Sequence, residues 1–192
     1  PNPGGDPGGD TGGTITEDTR TAENFTVLDE GGSEFLYHTD SNGSLVEYRR
    51  QDDGSWLPTN LTAATGGPIV TSDLIAIDLA GGSSRVVFGL TPNGHVARYE
   101  YTGANWIAED VTATANLPPI ASSLTGLVLH RTTSNTTVLY GLDAAGQLIE
   151  YRTGRAGWTA RNVSATTGGA PLEPKLVAWG ETYGRKQSER VF

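Results

Sequence analysis

Charged and aromatic residues able to do chemistry come as a recurring set in this chain of 192 residues. Glu47, Arg49 and Trp56 lie in "NGSLVEYRRQDDGSW", which starts at Asn42. Glu150, Arg152 and Trp158 lie in "AGQLIEYRTGRAGW", which starts at Ala145. Between them "NGHVARYEYTGANW", from Asn93, carries Trp106. It places Arg98 where its two copies have glutamate, and Glu100 where they have arginine. The swap keeps a charged pair and reverses it, which a salt bridge across strands tolerates. Hydrolysis asks for more. A glycosidase works with two carboxylates at a common centre, and here the charges repeat once per copy with no singular acid pair. No G-x-S-x-G, H-E-x-x-H or P-loop pattern is present. Cysteine is absent, which removes thiolate nucleophiles, disulfides and Cys-ligated zinc together. His38, His95 and His130 occupy different positions of their copies and make no repeating ligand set. These residues predict a protein that is not an enzyme and needs no cofactor. Asp40, Asp52, Asp53 and Asp143 lie in or beside turns, where a carboxylate caps local N–H groups. A calcium ion at one of those turns is the single metal they leave open.

The elements that carry these residues repeat as well. Gly43, Gly94 and Gly146 are 51 and 52 residues apart, and Tyr48, Tyr99 and Tyr151 keep the same spacing. "FLYHTDSNG", "VVFGLTPNG" and "VLYGLDAAG" lead into each glycine, while "NLTAATGGP", "DVTATANLP" and "NVSATTGGAP" follow each tryptophan. A period near fifty residues means repeated supersecondary units. Each unit parses into four short strands rich in β-branched and aromatic residues. In the first they run 25–29, 34–39, 44–49 and 56–61. In the second they run 74–79, 85–90, 95–101 and 106–111. In the third they run 126–130, 137–142, 147–152 and 158–163. Asn-Gly between strands is a strong hairpin signal, and no useful 3.6-residue apolar period appears, so helix is expected to be nearly absent.

Within a strand, Val46 and Tyr48 point to one face while Leu45 and Glu47 point to the other. Both faces thus carry large apolar groups, as do the first strands "LIAI" and "GLVLH". Sheets buried on two faces must be stacked between others of their kind. The fold class expected is all-β, a β-propeller-type array of four-stranded antiparallel blades. The expected divisions are a Gly/Pro/Asp-rich linker at 1–20, blade one at 21–71, blade two at 72–122, blade three at 123–174 and a partial fourth blade at 175–192. In that last segment Val191 and Phe192 match Val87 and Phe88. The chain begins at Pro1 with no initiator Met or signal-peptide pattern, as in a mature product or a fragment of something longer. Flexible linker composition at its start implies a neighbouring domain.

The formal net charge of −9 repels phosphate backbones and anionic membrane surfaces, so nucleic acid is not an expected partner. No apolar run approaches the length that spans a bilayer, and membrane insertion is not expected. Asn24, Asn42, Asn60, Asn135 and Asn162 sit in N-x-[ST] sequons.

The segments "LYHTDSNGSLVEY" and "VLYGLDAAGQLIEY", each followed by a tryptophan and by "NLTAATGGP" or "NVSATTGG", resemble the repeat of large exported bacterial proteins. They are similar, more loosely, to the blades of fucose-binding and tachylectin-type propeller lectins. The resemblance spans 21–192 and implies a secreted or cell-surface β-propeller. Such lectins bind sugars between adjacent blades, with Arg and Glu holding hydroxyls and an aromatic ring stacking on the sugar. It therefore implies Glu47, Glu150, Arg49 and Arg152, with Trp56, Trp106 and Trp158, as sugar-binding candidates. Packing at the blade's outer edge is the other role open to the tryptophans. The repeated tyrosines are expected in the inter-blade core, with the hydroxyl reaching a backbone partner. The expected function is a non-catalytic adhesion module or interaction scaffold of the cell surface, with a carbohydrate-binding propeller lectin as the alternative. Glycans or other surface proteins are the expected partners, and the incomplete fourth blade offers a route to self-assembly.

Overall fold

A computed structural model describes residues 25–30, 32–79, 84–130, 135–176, 178–183 and 186–191. The expected linker, the side chain of His130 and Phe192 lie outside the described residues. The first unit comprises β1 (Phe25–Glu30), β2 (Ser33–Thr39), β3 (Leu45–Arg50), β4 (Trp56–Asn60) and α1 (Leu61–Thr65). The second comprises β5 (Ser72–Asp78), β6 (Arg85–Leu90), β7 (Val96–Tyr101), β8 (Trp106–Asp110) and α2 (Val111–Ala115). The third comprises β9 (Ser122–His130), β10 (Asn135–Leu142), β11 (Leu148–Gly154), β12 (Gly157–Asn162) and α3 (Val163–Thr167). Then β13 (Ala178–Tyr183) pairs with β14 (Lys186–Val191). Each full unit is one antiparallel sheet with its strands in sequence order. The first strands of successive units, β1, β5, β9 and β13, pack on one another, and β4, β8 and β12 lie at the far edges of their sheets. This is the blade stacking that the two-faced strands require.

The turn before each third strand is built from the residues that recur. Gly43, Gly94 and Gly146 all take positive φ, between 73° and 77°, a conformation that favours glycine. Asp40 closes its turn by accepting from the N–H groups of Asn42 and Ser44, and Asp143 does the same for Ala145 and Gln147. Asp53 accepts from the N–H of Ser55. Three of the four turn aspartates thus cap local backbone as expected.

The expectation that helix is nearly absent needs correction. Each fourth strand ends in a single helical turn, α1, α2 or α3, one residue earlier than the strand was expected to end. Five residues are too few to display a 3.6-residue period. The visible signal is instead the cap: Asn60, Asp110 and Asn162 accept from the N–H of Ala63, Ala113 and Ala165 at 2.7 to 2.8 Å. The turns serve the sheet. Hydroxyls of Thr62, Thr112 and Ser164 accept from the N–H groups of Leu45, Val96 and Leu148, at or beside the start of each third strand.

The core lies between blades. Phe35, Tyr37 and Leu45 of blade one meet Val87, Ala97 and Tyr99 of blade two. Val86, Phe88 and Val96 on the other face of blade two meet Leu139, Ile149 and Tyr151 of blade three. The connecting segments supply a wedge. Val70 and Ile120 press on Gly89 and Gly141, where a Cβ would come within 2.4 and 2.3 Å of their side chains. Only glycine leaves that space. Blade one carries His38 at the corresponding place, stacked on Tyr48 with ring centroids 5.3 Å apart. The tyrosines follow the same logic. Tyr99 donates to the carbonyl of Pro68 at 2.5 Å, and Tyr151 donates to that of Pro118. Burial raises both phenols above their ordinary pKa. The inter-blade role expected for the tyrosines holds for these two, whereas Tyr48 has His38 as its hydroxyl partner.

Candidate functional site

One repeat position decides the chemistry: the second residue after the apolar start of each third strand, Glu47, Arg98 or Glu150. It faces the following blade on the same side as Tyr37, Phe88 or Tyr140, its directly opposed cross-strand neighbour. On its other side lies the fourth-strand residue Thr59, Glu109 or Arg161. Charges at these two flanking positions flip together. Arg98 pairs with Glu109 at 3.0 Å, and Glu150 pairs with Arg161 at 2.9 Å. Each also pairs along its own strand, Arg98 with Glu100 and Glu150 with Arg152. The reversed pair read from the sequence, Arg98 with Glu100, thus lies along one strand, and the bridge across strands runs from Arg98 to Glu109.

Blade one lacks the fourth-strand charge, because Thr59 stands there. Glu47 is met instead by Arg85, the first residue of β6 in the next blade. Its guanidinium donates to Glu47 Oε2 at 3.0 Å, to Tyr37 Oη at 2.9 Å and to Glu30 Oε2 at 3.3 Å. Rings of Phe35, Tyr101 and Trp106 surround it, with centroids 4.0, 4.3 and 5.2 Å from Cζ. All four polar residues are buried, and Glu30 Oε1 has no hydrogen-bond partner among the described residues. Burial lowers the Arg85 pKa, but Glu47 and Tyr37 outweigh it and the guanidinium is held above its ordinary value. Tyr37 is raised, first by burial and then by the Glu47 charge. The junction is closed by its own cation.

Blade three is arranged differently. Glu150 accepts from Tyr140 Oη at 3.1 Å, from Arg152 Nε at 3.2 Å and from Arg161 Nη2 at 2.9 Å. Burial pushes this carboxyl up, yet the hydrogen bonds from the two arginines prevail and hold it below the ordinary glutamate value. Arg161 is raised in turn by its bond to Glu150. Beside them opens a hollow of about 340 Å³ lined by Glu150, Arg152, Thr159, Ala160 and Arg161.

Glu150 and Arg152 of the sequence candidates thus come together on a hollow, and Glu47 is withdrawn into a buried cluster. Arg49, opposite Phe35 in β2, lines a separate hollow of about 260 Å³ with Glu34, Arg50 and Asp52. Trp106 packs edge-on to Tyr37, and Trp158 packs edge-on to Phe88 at 5.8 Å, both inside blade junctions. Trp56 remains 44% exposed. His38 and His95 have local partners: His38 Nδ1 lies 2.9 Å from the Thr39 carbonyl oxygen, and His95 Nδ1 lies 2.7 Å from Asp110 Oδ2. Among the described residues no group of three His, Cys, Asp or Glu could hold a metal. Sequence reasoning missed Arg85, Tyr140 and Arg161. The charge flip from Glu109 to Arg161, in step with Arg98 to Glu150, was a signal that could have found the last.

No protein-family model matches the sequence, and no curated protein matches it. Solved structures do. A mutant of AofleA from Arthrobotrys oligospora superposes with a TM-score of 0.66 at 14% identity, over 87% of this chain and 48% of that one. SapL1 lectin, in complex with alpha methyl fucoside, gives 0.63 at 16% identity, over 88% and 54%. The fungal lectin from Aleuria aurantia, described as a six-bladed β-propeller with a novel mode of fucose recognition, gives 0.50 at 16%, over 72% and 48%. The fold is that of the β-propeller lectins. The chain spans about half the length of these neighbours.

Proposed function

We propose that this chain is a non-catalytic, carbohydrate-binding β-propeller module of a secreted or cell-surface protein. The observation that carries this reading is the blade-three hollow, in which a buried carboxylate held ionised by two guanidiniums borders an open space. Sugar hydroxyls both donate and accept, so an acceptor and several fixed donors at one concave place suit them. Charge-assisted hydrogen bonds of this kind are the stronger ones and give orientation as well as affinity. Neighbours of the same fold described with fucosides support a glycan as the partner. In this role Arg152 and Arg161 act as the donors, set in place by the buried Glu150, with the Thr159 hydroxyl beside them as the acceptor.

The scaffold reading is favoured at one place. Where blade one meets blade two, Arg85 already takes the carboxylate and the rings, and that junction serves cohesion. A glycan array with the intact chain tests the proposal: saturable binding, lost in Arg152→Ala with folding unchanged, is the expected result. Binding of surface proteins without any glycan would favour adhesion by protein contact.

A further inference from the structure

Resting on the carbohydrate-binding reading, we infer that the blade-three hollow selects sugars that carry a carboxylate, hexuronates in particular. Three observations converge on this. Among the described residues, the charged groups lining the hollow are one carboxylate and two guanidiniums. Glu150 is sunk to 4% side-chain exposure, while Arg152 keeps 29% and Arg161 keeps 59%. The surface offered to a ligand is therefore guanidinium.

The acceptor capacity of Glu150 is also largely spent, because Tyr140, Arg152 and Arg161 all donate to it. Arg161 by contrast uses a single Nη2 contact in the described structure, out of five N–H donors in a planar fork. A second carboxylate matches that fork in a way a lone hydroxyl does not. Finally, none of the described residues lining the hollow is aromatic. Trp158 is turned to Phe88 at the opposite face of the blade, so it gives a sugar in the hollow no ring to stack on. Ionic recognition is what the described lining has to offer.

Blade two supplies the inverse. At the same repeat positions it holds Arg98 with Glu100 and Glu109, one guanidinium between two carboxylates. That place repels an acidic sugar. The selectivity thus belongs to one blade, although the scaffold is common to both.

The test is calorimetric titration of the whole chain with methyl glucuronoside and with methyl glucoside, which share a ring and differ in the carboxylate. The acidic sugar is expected to bind about tenfold tighter at low salt, with the advantage shrinking as salt rises. Arg161→Gln, at an exposed side chain, is expected to remove that advantage, so that the acidic and the neutral sugar then bind alike. Arg161→Lys, which keeps the charge without the fork, is expected to restore only part. Amide shifts at Thr159 and Ala160 on titration place the ligand. Equal binding of both sugars, unchanged in Arg161→Gln, overturns the acidic selectivity and leaves the lectin reading standing. Absence of binding to either sugar and to every glycan of an array overturns both.

Discussion

The junction of blades one and two and the outer hollow of blade three start from the same residue at the same repeat position, Glu47 and Glu150. In the first, a cation arrives from the neighbouring blade and is walled in by three rings. In the second, two cations come from the same blade and remain partly open to solvent. The choice is made at the fourth strand. Thr59 leaves Glu47 without a cross-strand charge and Arg85 reaches over, whereas Arg161 satisfies Glu150 within its own sheet. The same carboxylate is thus a lock in blade one and the floor of a hollow in blade three.

The sharpest way to break this contrast is at the lock. Arg85→Met leaves Glu30 and Glu47 buried without their cation, and removing one partner of a buried pair costs about 3–5 kcal/mol. Urea unfolding is expected to show that loss, with much of it recovered in Arg85→Met combined with Glu47→Gln. A loss below about 1 kcal/mol would mean that the cluster does not hold the blades together.

Next in size are the wedge glycines. Gly89→Ala and Gly141→Ala drive a methyl into Val70 and Ile120, and overpacking of this kind costs about 1–3 kcal/mol. His38→Ala, at the same repeat position in blade one, is expected to cost less than either. Thermal melts of the three variants make the comparison.

A smaller effect separates the tyrosines. Tyr99→Phe strands the Pro68 carbonyl and is expected to cost about 1 kcal/mol, whereas Tyr48→Phe, whose hydroxyl contact to His38 is 3.4 Å long, is expected to cost nearly nothing. Equal losses in both would contradict the idea that the hydroxyl is a bolt between blades.

The smallest effect is electrostatic. Glu150 is held below its ordinary pKa in the folded chain, so its contribution to stability is present above the ordinary glutamate value, near 4.3. That contribution fades as the pH falls through the lower folded value. Stability measured from pH 6 down to pH 3 is expected to fall less steeply in Glu150→Gln than in the parent.

Much of the architecture was legible because a blade is written in short-range terms: a turn glycine, a two-faced strand, an Asx turn. Comparing three copies multiplied each of those signals. The helical turns after each fourth strand were not legible from periodicity, since Leu61–Thr65 has no second turn in which to repeat. Half of the site was also readable, Glu150 and Arg152 being two residues apart on one strand. What sequence alone could not give is the reach of Arg85 across blades to Glu47. The separation of 38 residues carries no pattern, and the reversed charges of blade two suggested only that pairs would form within a sheet. Trp106 and Trp158 read equally as sugar platforms or as packing, because a ring at the start of a strand looks the same in both roles until its neighbour is known.

The central claim is that one repeat position is closed at the first junction and binds at the third blade. Amide-resolved NMR titration of the chain with methyl glucuronoside tests it most directly. The account predicts saturable shifts confined to Arg152 and to Thr159, Ala160 and Arg161, with Glu47, Arg85 and Trp106 unmoved. Shifts centred on Arg85 and Trp106, with blade three silent, would contradict it.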